Sequence, residues 1–397
     1  MSSTKSYRRS LPAGVWVLGF VSLLMDVSSE MIHSLLPLYL VGVLGASALT
    51  LGLIEGFAEA TAMMLKVFSG ALSDYWRKRK GLALLGYGLA AITKPVFALA
   101  PSVGWVLAAR LTDRVGKGIR GAPRDALVAD LTPPQMRGAA YGLRQSLDTI
   151  GAFVGPVLAI ALMALLANNY QWVFWIAVIP AFLAVILLCV GLREPERQNR
   201  QNRGNPIQFS HLKRFTQAYW AVVLIGSLFT LARFSEAFLL LKAEDAGLSL
   251  LWAPLVLVVM NIAFSLSAYP SGRMSDRMDP RQLLAAGLLL LIVADLVLAW
   301  SSGWFSLMIG AAFWGLHMGM TQGLLATLVA RTAPAESRGT AFGIFNLIMG
   351  LTVLLASIIA GLLWTLYSPA LTFVIGALFC LLTLSCLGIL KRPSEVA

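Results

Sequence analysis

The chain of 397 residues is 58% hydrophobic and only 13% charged, with a mean hydropathy of +0.77. Soluble domains average about 45–50% apolar and about 25% charged residues, so a water-soluble globule is excluded and lipid must cover most of this surface. The net charge of +12 does not point to nucleic acid, because the Lys and Arg residues are confined largely to alternate connections between apolar runs and to the interior of a few of those runs.

A membrane-spanning helix needs about 20 mostly apolar residues, and an all-α chain of twelve such helices is predicted. The first, at 13–40, follows Lys5, Arg8 and Arg9 and carries Asp26, Glu30 and His33 at i, i+4 and i+7, one polar stripe on a helix. It is too long for a signal-peptide core, so no cleavage is expected. The second, at 48–71, has Glu55 and Glu59 on one face and Lys66 nearer its end; Arg77, Lys78, Arg79 and Lys80 fill the connection that follows. Lys94 interrupts the third, at 81–100. The fourth, at 104–130, is the most charged, with Arg110, Asp113, Arg114, Lys117, Arg120, Arg124 and Asp125 recurring every three or four positions. Its Gly116-Lys117-Gly118-Ile119-Arg120-Gly121 satisfies the G-x-G-x-x-G pattern of dinucleotide sites, but no strand precedes it, so the match is read as accidental. The fifth, at 138–166, places Arg144 and Asp148 one turn apart and carries Gly151-Ala152-Phe153-Val154-Gly155-Pro156; the sixth spans 170–191.

Residues 193–214, rich in Arg, Gln and Asn, form the only long polar stretch, which reads as a linker between a first bundle at 1–192 and a second at 215–397. The second bundle is predicted to hold helices at 217–243, with Arg233 and Glu236 within one turn, and at 249–271. Further helices follow at 281–300 with Asp295, at 304–331 with Trp314, His317 and Gln322, at 338–366 with Asn346, and at 369–390. Arg273, Arg277 and Arg281, then Arg331 and Arg338, then Lys391 and Arg392 continue the alternation of basic connections. By the positive-inside bias this places both termini in the cytoplasm and the chain in the cell (inner or plasma) membrane. Cys189, Cys380 and Cys386 are scattered through apolar runs, a pattern of neither disulfides nor metal ligands. No cofactor and no resident metal are expected, and the chain is taken to act as a monomer in the bilayer.

An internal repeat supports two halves. Pro133…Arg137-Gly138-Ala139-Ala140-Tyr141-Gly142 is echoed by Pro334…Arg338-Gly339-Thr340-Ala341-Phe342-Gly343, and Leu127-Val128-Ala129 by Leu328-Val329-Ala330 at the same spacing. Gly70-x-x-x-Asp74 is likewise echoed by Gly272-x-x-x-Asp276. Parallel repeats of six helices are one of the recurring plans of secondary transporters.

On these residues the chain resembles the major facilitator superfamily along essentially its whole length. Gly70-Ala71-Leu72-Ser73-Asp74-Tyr75-Trp76-Arg77-Lys78-Arg79 is similar to the family signature G-x-L-x-D-R-x-G-R-R/K, with Tyr75 and Arg77 departing from it; Gly272-Arg273-Met274-Ser275-Asp276-Arg277 keeps the Asp-Arg pair. The resemblance implies that Gly70, Asp74, Arg77, Gly272, Asp276 and Arg277 belong to a gate. The fourth helix is similar to the motif R-x-x-Q-G, with Arg114 as its Arg, Gly118 as its Gly and Lys117 in place of Gln; Arg110 is the rival for the central role. In that family the Arg is tied to proton coupling, since a fixed cation lowers the pKa of a nearby carboxylate until one of them moves. Gly151, Gly155 and Pro156 resemble the start of the G-x-x-x-G-P-x-x-G-G motif of exporters, where glycine permits close helix contact and proline bends the helix.

Charged side chains at mid-membrane cost at least about 2.5–3.5 kcal/mol each, so those within the helices must face the bundle interior, paired or wet. Two readings stand for each: a salt bridge locking helices, such as Glu59 with Lys94 or Arg233 with Glu236, or a part in a polar transport cavity. Asp26, Glu30, Glu55, Glu59 and Asp148, with Arg114 as modulator, are the candidates for proton coupling. Lys94, Arg110, Arg144, Arg233, Glu236, Trp314, His317, Gln322 and Asn346 are the candidates for substrate contact. The resulting expectation is proton-coupled export of a small molecule. Proton-driven uptake of an anionic metabolite and efflux of a metal or metal chelate (His33 lies near Glu30 and Asp26) are alternatives, and a non-transporting membrane receptor or an embedded enzyme is the reading from a different class.

Overall fold

The computed structural model describes residues 11–76, 78–133, 136–193, 215–275, 278–321, 323–333 and 338–389. These form twelve spanning segments and, among the described residues, no strand. They are α1 (Ala13–His33), α2 (Ala48–Trp76), α3 (Arg79–Leu99), α4 (Val103–Leu131), α5 (Arg137–Leu165) and α6 (Tyr170–Gly191), then α7 (Gln217–Ala232 and Ala237–Asp245), α8 (Leu255–Ser275), α9 (Pro280–Ala299), α10 (Trp304–Thr321 and Leu324–Thr332), α11 (Arg338–Leu366) and α12 (Pro369–Cys386). Ten of the twelve are long and apolar enough to cross a membrane. The two others are α4, with its run of charges, and α10, which is interrupted.

Three predicted helices are broken, each at an informative place. The first ends at His33 because Pro37 has no N–H to offer the His33 carbonyl; a short Leu36–Leu38 turn and a π-turn at Tyr39–Val43 continue it. The tenth breaks next to Gly323, whose φ of +76° is a conformation that glycine adopts without penalty. The seventh leaves helical geometry at Arg233–Ser235, and Ser235 Oγ accepts the Ala237 N–H at 3.3 Å where the helix resumes. The eighth starts at Leu255 rather than 249, directly after Pro254. Side-chain caps hold several connections: Asn169 on α6, Asp279 on α9 and Ser368 on α12 each accept a first-turn N–H.

The packing repeats. In the first six helices α1 packs on α5 and α6, α2 on α4, and α3 on α4 and α6; α7 packs on α11 and α12, α8 on α10, and α9 on α10 and α12. The same five pairings recur at a shift of six helices, giving two pseudo-symmetric bundles. The boundary expected at 193–214 lies almost wholly outside the described residues. The bundles meet at α2–α11 and at α5–α8, positions related by the same symmetry. Large apolar side chains such as Leu165, Val190 and Leu266 point outward, as helices solvated by lipid require.

Small residues set the closest approaches. A Cβ built on Gly151 would lie 2.9 Å from Asp26 Cβ, and one on Gly155 would lie 2.6 Å from Glu30 Cβ and 3.0 Å from the Val27 carbonyl. The Gly-x-x-x-Gly of α5 thus docks on the polar stripe of α1 in register, four residues against four, and brings two carboxylates to the inner face. Gly155→Leu should therefore cost at least the ~1–3 kcal/mol of a typical overpacked site. We expect it to abolish monodisperse protein in size-exclusion chromatography after detergent extraction. Gly142→Leu on the same helix, with nothing among the described residues within 4 Å of a Cβ built there, should elute as wild type.

Candidate transport cavity

Charges in the first bundle are matched across helices in three tiers. At the innermost tier the Arg110 guanidinium (α4) forks on to Glu55 (α2), Nε donating to Oε1 at 3.0 Å and Nη2 to Oε2 at 2.7 Å, with the two residues 3% and 1% exposed. His33 of α1 bridges this pair to its own helix, with Nε2 3.5 Å from Glu55 Oε2 and Nδ1 3.4 Å from Glu30 Oε2. Beside it Lys94 of α3 donates to Asp113 Oδ1 at 2.9 Å and to Ser29 Oγ at 3.0 Å. One turn further along α4, Arg114 Nη1 lies 3.2 Å from Glu59 Oε1. The third tier joins α4 to α5: Arg144 Nε lies 3.7 Å from Asp125 Oδ1 and Arg124 Nη1 3.9 Å from Asp148 Oδ2. Each arginine also meets a carboxylate on its own helix, Arg144 that of Asp148 and Arg124 that of Asp125. The bidentate fork on Glu55 is the geometry that makes Arg the strongest partner for a carboxylate.

Behind these tiers α4 is wedged between two neighbours. Gly116 faces Gly86 of α3, whose carbonyl would be 2.6 Å from an added Cβ; Gly118 faces α2, where Leu65 Cβ would be 2.6 Å away. The nucleotide-like glycine spacing is a packing device.

A cavity of about 390 Å³ opens beside the paired charges. Its acidic lining is Asp26 and Glu30 from α1, Glu59 from α2 and Asp148 from α5; its basic lining is Lys66 from α2 and Lys117, Arg120 and Arg124 from α4. Met63 and Ala152 with Asn261 and Phe264 of α8 supply the less charged side. Asn261 donates to the Ala152 carbonyl at 3.3 Å, so the α5–α8 contact forms part of the wall. The volume falls in the range of about 300–1,000 Å³ usual for small-molecule sites.

The sequence-expected residues separate into groups. Asp26, Glu30, Glu59 and Asp148 line the cavity, whereas Glu55 is sealed behind it in the Arg110 fork. Lys94 and Arg110 are buried and ion-paired rather than open to a substrate, and Arg144 is tied to Asp148 and Asp125. Glu59 takes Arg114, not Lys94. In the second bundle Arg233 stacks over Phe229 at 5.5 Å rather than pairing with Glu236. Glu236 lies within electrostatic reach of His33, Glu30 and Glu59 across the bundle interface. Trp314 and His317 are 1% and 0% exposed and pack edge to face in an aromatic cluster, away from the cavity lining. Asn346 is half-buried on α11. Gly70 ends near Ala122, and Gly272 lies in the last turn of α8. Gln322, Arg77, Asp276 and Arg277 lie outside the described residues, as does the Asp74 side chain. Asp113, Lys66, Lys117 and Arg120 were not singled out as site residues from the sequence, although Lys117, three residues from Arg114, was within reach of helical periodicity.

Twelve helices in two equivalent bundles around a charged cavity define a multi-pass membrane transporter. The profile of the Major Facilitator Superfamily matches residues 18–268 and 243–397, and the chain belongs to that family. It is 32% identical over 383 residues to an uncharacterised MFS-type transporter of Methanocaldococcus jannaschii, covering 94% of each chain. It is 31% identical over 175 residues to the multidrug resistance protein MdtH of Photorhabdus laumondii, which is 44% of this chain and 42% of that one. Its fold superposes on a POT family transporter in complex with 5-aminolevulinic acid with a TM-score of 0.79 at 12% identity, over 98% of this chain and 99% of that one.

Removing one partner of a buried ion pair leaves an uncompensated charge, a loss of about 3–5 kcal/mol. Arg110→Ala is therefore expected to lower thermal stability in detergent sharply. The paired replacement Glu55→Gln with Arg110→Met should recover most of the loss, as a double-mutant cycle on melting would register.

Proposed function

We propose that this protein is a proton-coupled secondary transporter that exports a small molecule by alternating access. The observation that carries the reading is the cavity itself, at the seam between two pseudo-symmetric bundles, where ionisable carboxylates face fixed cations. Glu59 is the central carboxylate. It is 34% exposed by its side chain, open to the cavity on one side and held by Arg114 on the other. A carboxylate held by a cation keeps its charge, and one released from that cation takes up a proton readily. Any rearrangement of the bundles that parts Glu59 from Arg114 would load a proton, and re-forming the contact would expel it. Asp26 has no ion pair among the described residues and is the second carrier. Glu30 and Asp148, each in contact with a basic partner, tune the field around them.

Export is favoured by the Gly151, Gly155 and Pro156 motif on α5 and by the similarity to a multidrug resistance protein over part of the chain. Uptake of an anion held by Lys94, Arg110 and Arg144 is less well supported, because all three are already paired within the protein. The charge bias of the connections supports a cytoplasmic location for both termini.

In proteoliposomes, an imposed pH gradient should drive substrate flux by the wild type. Glu59→Gln is expected to lose gradient-driven flux by at least about tenfold while retaining substrate counterflow, since exchange needs no net proton movement. Asp26→Asn should reduce the number of protons moved per substrate. Wild-type flux that ignores the gradient would refute the coupling.

A further inference from the structure

Building on the reading of the cavity as the transport pathway, we infer that the cavity receives an organic anion whose phosphate, sulfate or carboxylate group is seated among Lys66, Lys117 and Arg120. The pairing of charges leads there. Of the four carboxylates lining the cavity, Glu30 is met by His33, Glu59 by Arg114 and Asp148 by Arg144, all basic side chains standing behind the wall rather than on it. Of the four lining cations only Arg124 is matched in return, by Asp125 and Asp148. Lys66, Lys117 and Arg120 make no side-chain hydrogen bond or ion pair among the described residues, and Asp26 is the single lining carboxylate left over. Three unpaired cations against one unpaired anion leave the cavity with an excess of positive charge.

Arg120 shows that this excess is directed. The residue is 5% exposed, and its Nη1 is buried with no acceptor among the described residues. The guanidinium lies 4.8 Å from the centroid of the Tyr87 ring, a cation–π contact that fixes its plane. Tyr87 is itself held by a 3.1 Å hydrogen bond to Ser22. A buried donor without an acceptor carries an unmade hydrogen bond, and a rigid guanidinium fork is shaped to give two to an oxyanion.

The lysines complete the seat. Lys117 is one turn before Arg120 on α4 and exposed to the cavity. The aliphatic stem of Lys66 lies against Gly121, 3.8–3.9 Å from where a Cβ would stand, so it reaches across from α2 at the level of Arg120. Opposite, Met63, Ala152 and Phe264 offer a surface for an apolar body. A soluble metabolite and an acidic lipid headgroup share this chemistry.

Calorimetric titration of the full-length protein in detergent tests the seat without requiring transport. Phenyl phosphate is the soluble probe, lysophosphatidate the lipid probe and benzylamine the cationic control. One or both anions should bind and benzylamine should not; phenyl phosphate alone assigns a soluble anion, and lysophosphatidate alone a lipid headgroup. A charge-assisted hydrogen bond contributes about 1.5–3 kcal/mol, so Lys66→Ala and Lys117→Ala should each weaken binding by about tenfold or more. Both lysines face open space, so these variants keep the fold, and Arg120→Lys, which retains charge but not the fork, should weaken binding further than it perturbs melting. Arg331→Gln, a cation exposed at the end of α10, should bind as wild type. Absence of anion binding, or anion binding indifferent to Lys66, Lys117 and Arg120, would overturn the seat. A pH-gradient flux assay with the same probes separates the two proposals. Benzylamine moved by the gradient with no anion bound would refute the seat and leave the transport reading. An anion bound through the three cations but never moved would refute the transport reading and leave the seat.

Discussion

A charge cannot be left alone inside a lipid-solvated bundle, and the structure of the first half follows from how each one is answered. Arg110 on Glu55, Lys94 on Asp113 and Arg114 on Glu59 tie α4 to α2 and α3, while Arg144 on Asp125 and Arg124 on Asp148 carry the same logic to α5. With α1 joined through His33, five helices are cross-linked by polar contacts in addition to the apolar cluster they share. In lipid the hydrophobic effect gives helices little reason to associate, so packing and polar contacts must supply it. The cavity is the part of this lattice in which matching was left incomplete.

The two bundles share a packing plan but not a chemistry. The second half repeats the five helix pairings of the first with an interior of aromatic and aliphatic side chains: Phe234 contacts Phe238, Trp314 and Phe373. Its buried ionisable groups stand apart; both Asp295 oxygens and both His317 ring nitrogens lack hydrogen-bond partners among the described residues. A polar, ion-paired bundle facing an apolar one is an arrangement in which the first can bind and titrate while the second serves as a stiff counterpart.

Much of this was legible from residue order. Hydropathy and the recurrent Pro…Arg-Gly blocks were enough for twelve helices in two halves, and the i, i+4 spacing of Asp26 with Glu30 and of Glu55 with Glu59 was enough to place each pair on one face. Which charge meets which was not legible. Glu59 could be matched with Lys94 on sequence grounds, yet it meets Arg114, because partner choice depends on the rotation and vertical offset of neighbouring helices. Periodicity within one helix contains neither quantity. Trp314 and His317 lie in a packed cluster rather than on the cavity lining for a related reason: a polar edge on an apolar helix marks an inward face, but not whether that face looks on to a cavity or a packed core. The break at Arg233–Ser235 had no proline or glycine to announce it, unlike those near Pro37 and Gly323.

The glycines of α4 have a wider consequence. At 3.6 residues per turn, Gly116 and Gly118 point about 200° apart, one into α3 and the other into α2, and Gly121 faces a third way, under Lys66. A helix clamped on two sides and reached over on a third must be thin along three directions, and this writes G-x-G-x-x-G into its sequence. Pattern searches for dinucleotide sites will therefore gather false members from polytopic chains of this kind. The discriminating feature lies in the intervening positions. Lys117, between Gly116 and Gly118, is exposed in a direction the clamp leaves free and looks into the cavity, while Arg120, one turn after Gly116, shares the α3-facing side against Gly86 and Tyr87 and reaches the cavity from there.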